Sequence, residues 1–264
     1  PAPARAQAVP LGGGDGPVEI EAAESLEWLS EEKLYVARGD AVLRQGEVTV
    51  RAETLTAAYR ETATGETEIY RMSAEGGIEV TAPDQRITGA QGVYDVDRQV
   101  FVVTGGDLRL ETPDQVVTAT ESLEYFEGEG IAVARGDAVA VRGDDRVEAD
   151  ELTAEIEPGP DGDNRITRLG ARGDVVITTP TDVARGDEGV YNLETGIATL
   201  RGDVRLTRGE NQLNGDYAEI DLDSGVSRLL ARPGGTRIRG LLVPGSEPGA
   251  TPGTPAGDPS TNTR

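Results

Sequence analysis

A glycine-centred corner recurs along this chain on a fixed register, and it limits the fold more than any other feature. Ala37-Arg38-Gly39-Asp40 returns as Ala134-Arg135-Gly136-Asp137, Ala171-Arg172-Gly173-Asp174 and Ala184-Arg185-Gly186-Asp187. Leu200-Arg201-Gly202-Asp203 and Thr104-Gly105-Gly106-Asp107 are variants. Gly39, Gly76 and Gly105 recur 97 residues later as Gly136, Gly173 and Gly202. Large residues keep the same interval: Trp28 with Tyr125, Tyr59 with Ile156, Tyr94 with Tyr191. The chain thus holds two related halves of three units each. Such periods mark architectures in which neighbouring units cover one another's apolar faces. On this register Trp28 is an ordinary core position. A seventh, degenerate unit begins at Ala231-Arg232-Pro233-Gly234.

Between corners, short runs alternate apolar with small or polar residues: Val48-Thr49-Val50-Arg51, Ile78-Glu79-Val80-Thr81, Leu108-Arg109-Leu110-Glu111, Val139-Ala140-Val141-Arg142 and Val204-Arg205-Leu206-Thr207. Alternation with period two means a strand with one face buried. Gly-Asp, Gly-Gly, Pro-Asp and Thr-Gly stand between the runs and supply turns. Residues 62–66 and 158–164 read as inserted hairpin loops. No helical period appears beyond a turn at residues 22–28, so an α/β fold is excluded. Strands of four or five residues cannot stand alone, and stacking the units covers them. The expectation is an elongated all-β body with two facing sheets.

The inner-face candidates are Val50, Leu55, Ile78, Val80, Ile87, Val102, Leu108, Leu110, Val139, Val141, Val147, Val175, Ile177, Val183, Val204, Leu206 and Leu213. They are aliphatic, and the chain has only two Phe, Phe101 and Phe126. Either the sheets pack closely on these side chains, or they diverge at one edge and leave an apolar trough. Periodicity does not separate the two, and the residues alone favour close packing.

Chemistry is narrowed by what is missing. The 264 residues contain no Cys and no His, which removes disulfides, thiolate or imidazole metal sites and histidine-based triads. The net charge of −23 argues against nucleic acid. Asp95 with Asp97 and Asp221 with Asp223 are the tightest carboxylate pairs, but they occupy turn positions where Asp is favoured anyway. Asp161-Gly162-Asp163-Asn164 and Asp221-Leu222-Asp223-Ser224-Gly225 fall short of a calcium-loop signature. No catalytic residue, metal or cofactor is assigned. The Arg-Gly-Asp triplet follows the structural period and reads as turn chemistry, not adhesion.

Ala6-Gln7-Ala8 has the small-x-small form of a signal-peptidase site. Residues 1–18 read as a signal remnant and disordered leader, 19–238 as the repeat body (about 19–118 and 119–238), and 239–264 as a disordered Pro/Gly-rich tail. No apolar run is long enough for a membrane helix.

The recurring unit resembles the LptA/OstA-like family of periplasmic lipopolysaccharide-transport proteins, related also to LptC and the N-terminal domain of LptD. The resemblance is carried by Ala-Thr-Glu-Ser-Leu-Glu-Tyr at 119–125 followed by Ala134-Arg135-Gly136-Asp137. Ala149-Asp150-Glu151-Leu152-Thr153-Ala154 and Gly215-Asp216-Tyr217-Ala218 carry it again. It covers about residues 19–230. It implies a twisted β-jellyroll with an open V-shaped groove that holds lipopolysaccharide acyl chains. The groove residues it points to are Val50, Ile78, Val80, Leu108, Leu110, Val139, Val141, Val175, Ile177, Val204 and Leu206, subject to a one-residue register step that would flip each face. It further implies end-to-end homo-oligomers and edge-strand addition to inner-membrane LptC-like and outer-membrane LptD-like proteins. The docking edges would lie near residues 19–21 and 211–222. The acidity departs from a binder of phosphorylated lipid. Either the sugar heads stay outside, or Arg44, Arg51, Arg109 and Arg142 meet the phosphates. The competing reading is a structural β-repeat scaffold without lipid.

Overall fold

The computed structural model describes residues 18–159, 164–221, 226–231 and 237–243. It is all-β. The first repeat supplies β1 (Glu19–Glu21), β2 (Ser25–Leu29), β3 (Leu34–Gln45), β4 (Val48–Glu61), β5 (Thr67–Ala82), β6 (Gln85–Asp95), β7 (Val100–Thr104), β8 (Leu108–Glu111) and β9 (Val116–Ala119). The second supplies β10 (Ser122–Phe126), β11 (Ile131–Arg142), β12 (Asp145–Pro158), β13 (Asn164–Thr178), β14 (Asp182–Asn192), β15 (Ile197–Arg208), β16 (Asn211–Asp221), β17 (Val226–Leu230) and β18 (Arg239–Leu241). Every pairing is antiparallel, and chain neighbours pair along most of the body. At about 4.8 Å per step, the strands paired in turn from β2 to β7 and on from β10 to β17 span roughly 60 Å. Among the described residues no helix is long and apolar enough to cross a membrane.

The corners do not end strands, as the short alternating runs suggest. They bend them. β3, β11, β13 and β15 run 12 to 15 residues through their corners. The register slips there by one residue, between Arg38 and Ala41, Arg135 and Ala138, Arg172 and Val175, and Arg201 and Val204. At each slip two consecutive residues have positive φ, as in Gly136 (81°) and Asp137 (41°). Glycine and aspartate tolerate this conformation best. The extra residue bulges out, and the strand turns from one sheet into the other with its ladder intact. Of the six glycine corners, Gly105-Gly106 is the one that breaks the chain into separate strands, β7 and β8.

Two facing wings result, joined along the line of corners. The wing before the corners pairs β2, β3, β4, β5, β6, β7 and β10 in turn, then continues through β11 to β17. The wing after them runs from β1 through β8 and β9 to β18. Beside the corners, small inner residues let the wings approach closely. Gly89 lies against Val103 of the opposite wing, where an added Cβ would come within 2.4 Å of its side chain, and Gly186 lies likewise against Leu200. Larger residues follow farther out. This gradient from small to large makes a wedge.

Four inner-face expectations are corrected. Val139 and Val141 point outward, as do Val102 and Val183. Val139 pairs with Thr118 and Glu148, in a row that continues through Arg109, Thr88, Glu79 and Arg51. The inward residues on β11 are Ala138, with no exposure, and Ala140. The reason is the bulge. The residue after the corner Asp faces inward, so counting from the corner outranks choosing the larger side chain.

Other departures are local. Residues 25–29 form a strand, where a helical turn was expected. Arg239–Leu241, expected in the tail, pairs with β16. Trp28 is 67% exposed and is no core residue, because among the described residues β2 is an end strand with β3 alone beside it. The proposed seventh unit, the loop at 161–164 and Asp223 lie wholly or partly outside the described residues.

Candidate functional site

The wedge interior is a ladder of apolar side chains carried strand to strand by backbone pairing. After the corners it runs Ile20, Leu43, Val50, Val80, Ile87, Leu110, Val117, Ala140, Val147, Ile177, Ala184, Leu206, Leu213. Nine of the eleven expected groove residues face this interior: Val50, Ile78, Val80, Leu108, Leu110, Val175, Ile177, Val204 and Leu206. Val139 and Val141 do not. Sequence reasoning passed over Ile20, Leu43, Val117, Ala140 and Ala184; the corner register would have found the last four.

Before the corners the matching inner row near the mouth is aromatic in the first repeat. Trp28, Tyr35, Ala57, Met72, Tyr94 and Phe101 are paired in sequence across β2 to β7. Tyr35 stacks on Trp28 with centroids 6.0 Å apart and tilts against Tyr59 at 4.9 Å. The Trp28 Nε1–H donates to the Tyr59 hydroxyl at 2.7 Å. Between the wings of this repeat a narrow apolar gap of about 50 Å³ is left, walled by Leu43, Val50, Leu55, Ile78, Val80, Tyr94, Phe101 and neighbours.

One polar contact marks the mouth. The buried Tyr94 hydroxyl donates to Glu127 at 2.9 Å. Burial, then that hydrogen bond and the negative charge of Glu127, push the Tyr94 ionisation well above its usual value; burial also raises Tyr125. An acid with a raised folded-state pKa adds stability below its unfolded pKa, and that part is lost as pH rises toward the folded value. Stability should therefore begin to fall above about pH 10, the ordinary tyrosine range. Tyr94→Phe should flatten that alkaline limb in denaturant titrations at stepped pH. An unchanged limb would remove Tyr94 as its source.

The basic residues considered for phosphate contact are engaged elsewhere. Arg51 pairs with Glu79 at 3.3 Å, Arg109 with Glu111 at 2.7 Å and Arg44 with Glu21 at 3.1 Å, and Arg51 and Arg109 stand in the outward row. The suspected Asp95/Asp97 pair does structural work. Asp97 accepts two bonds from Arg60, at 2.6 and 2.7 Å, and Asp95 accepts the Arg98 N–H at 3.0 Å. Arg60 holds the Asp97 carboxyl below its usual range. Among the described residues no group of three or more His, Cys, Asp or Glu could hold a metal ion.

Part of the net charge has a structural origin. Glu24, Glu53, Glu121, Asp150 and Asp187 lie over the corner glycines Gly39, Gly76, Gly136, Gly173 and Gly202. Glu24 and Glu121, like Glu53 and Asp150, are 97 residues apart. Asp40, Asp137, Asp174 and Asp203 hold the positive-φ corner positions. A row of carboxylates along the corner line follows from the fold.

The model of the family described as "LptA/(LptD N-terminal domain) LPS transport protein" matches this chain twice, at residues 19–127 and 120–226. The chain belongs to that family. By that description it is a family of transport proteins. The chain's two family matches follow each other on nearly the same interval as the corner repeat. Among solved structures, LptH of Pseudomonas aeruginosa, described as the LptA-homologous periplasmic component of a lipopolysaccharide transport device, aligns at 18% identity with a TM-score of 0.42. The alignment covers 49% of this chain and 95% of that one. Among curated proteins nothing matches.

Proposed function

We propose that this LptA-family chain holds the acyl chains of lipopolysaccharide between its two wings and passes the lipid across the periplasm, from the inner-membrane transporter toward the outer membrane. The observation that supports this most directly is the unbroken inner ladder from Ile20 to Leu213, apolar at every rung, on a chain of a lipopolysaccharide-transport family. Burying the methylenes of an acyl chain is favourable by about 0.8 kcal/mol each and needs no reactive group. That fits a sequence without Cys or His.

Partners dock at the ends. Among the described residues β1 and β2 bond only to β3, and β17 and β18 only to β16, so both ends of the described sheet offer strand edges. Exposed edges invite strand addition. Leu26 and Trp28, 64% and 67% exposed, extend the inner face at the first end. An LptC-like or LptD-like protein, or a second copy, would continue the sheet there. Trp28 is the sole tryptophan and reports directly on this edge. Its emission should shift to the blue as protein concentration or an added LptC-like partner rises. A constant spectrum across an association seen by sedimentation would place the contact at the other end.

Diazirine-bearing residues on the inner ladder should crosslink to radiolabelled lipopolysaccharide, and the same residue in place of outward Arg109 should not. Absence of crosslinks at every inner position would leave the scaffold reading standing.

A further inference from the structure

We infer that the two repeats have diverged in width, so that the second repeat, residues 119–238, seats the acyl chains while the first is a packed seam. This rests on the lipid-carrying reading above and assigns its site within the chain.

Positions 97 residues apart are equivalent in the two repeats. Beside the corners some pairs are alike, Ile78 at 3% exposed with Val175 at 1%, and Val103 at 0% with Leu200 at 2%, while Leu55 and Leu152 on the same row as Val103 and Leu200 already differ. Toward the mouth they part. Val80, Tyr94 and Phe101 are buried in the first repeat, whereas Ile177, Tyr191 and Ala198 are partly exposed in the second. The buried core of the first repeat reaches from the corner line out to Tyr94 and Phe101, while that of the second keeps close to the corners.

Position in the stack does not explain this. β4 is third from the first end, yet its Leu55 is buried. β12 is flanked by β11 and β13 in mid-body, yet the equivalent Leu152 is only half-buried. What differs is side-chain volume on the mouth row. Tyr35 and Phe101 of the first repeat are replaced by Ala132 and Ala198 in the second. An aromatic ring on the inner row is removed at two rungs, while on the opposite wing Leu43 and Ile87 shrink to Ala140 and Ala184 and Val80 gains a single methylene as Ile177. Interiors otherwise close to near-crystalline density, so a row that stays half-open between two apolar walls is available for an apolar guest.

Leu55 and Leu152 form a matched pair for the test. Photo-leucine, nearly isosteric with leucine, is placed at one or the other in the full chain, and each protein is irradiated with radiolabelled lipopolysaccharide. The expected result is labelling at Leu152 at least tenfold above Leu55. Ala198→Phe should cut the Leu152 crosslink severalfold, and Phe101→Ala should raise the Leu55 crosslink. If Phe101→Ala fails to fold, Ala198→Phe on the partly exposed row and the unsubstituted pair still decide. Equal labelling at both leucines, or an Ala198→Phe protein that labels as before, would overturn the division while leaving lipid carriage intact. No labelling at either, with none elsewhere on the ladder, would overturn lipid carriage and the division together.

Discussion

Ala138→Asp is expected to unfold the protein, whereas Val139→Asp, one residue on, is expected to leave it folded. Ala138 has no exposed surface and belongs to the core that joins the wings beside a corner. A carboxylate placed there finds no water and no cation. Burying a charge without a partner costs several kcal/mol even after its pKa rises to neutralise it. We expect a loss above about 4 kcal/mol, at the extreme of single substitutions. Val139 faces outward and is partly exposed, next to Thr118 in a row that also carries Arg109 and Arg51. Its aspartate should cost under about 1 kcal/mol, as surface changes do. Thermal unfolding followed by circular dichroism checks both. The opposite ranking would restore the face that side-chain size alone suggests.

The second large effect is at the corners. Gly173→Ala should destabilise by about 2–4 kcal/mol. Gly173 has φ of 79°, and a Cβ there would lie 2.0 Å from Oδ2 of Asp150. The backbone conformation alone costs an L-residue about 1–2 kcal/mol, and displacing Asp150 adds the rest. Gly46 is the control. It has φ of 60° with nothing within 4 Å of an added Cβ, so Gly46→Ala should show the backbone cost alone. Asp150→Gly in the Gly173→Ala background should recover part of the loss, since the two residues touch. Equal losses at Gly46 and Gly173 would show that the overlying carboxylate gives way freely.

The strands, the corners and the duplication were legible because each is a local matter. Alternation at Ile78-Glu79-Val80-Thr81 states a strand, and Gly-Asp states where φ turns positive. The face of each strand was legible only where large residues happen to point inward. At Val139-Ala140-Val141 the valines point outward, and a hydrophobicity count misleads. Trp28 failed for a different reason: its register is right, but the repeat says nothing of where the stack ends. The carboxylates over the glycines were invisible, since Asp150 and Gly173 meet only through pairing of β12 with β13.

The amino-acid sequence by itself determined the all-β class, the six corners and the 97-residue duplication, because backbone preference and period two act within a few residues of chain. Only the tertiary structure decided how far apart the two wings stand. That depends on which side chains meet across the gap, and residues such as Gly89 and Val103 meet there only because the bulged strands fold one wing over the other.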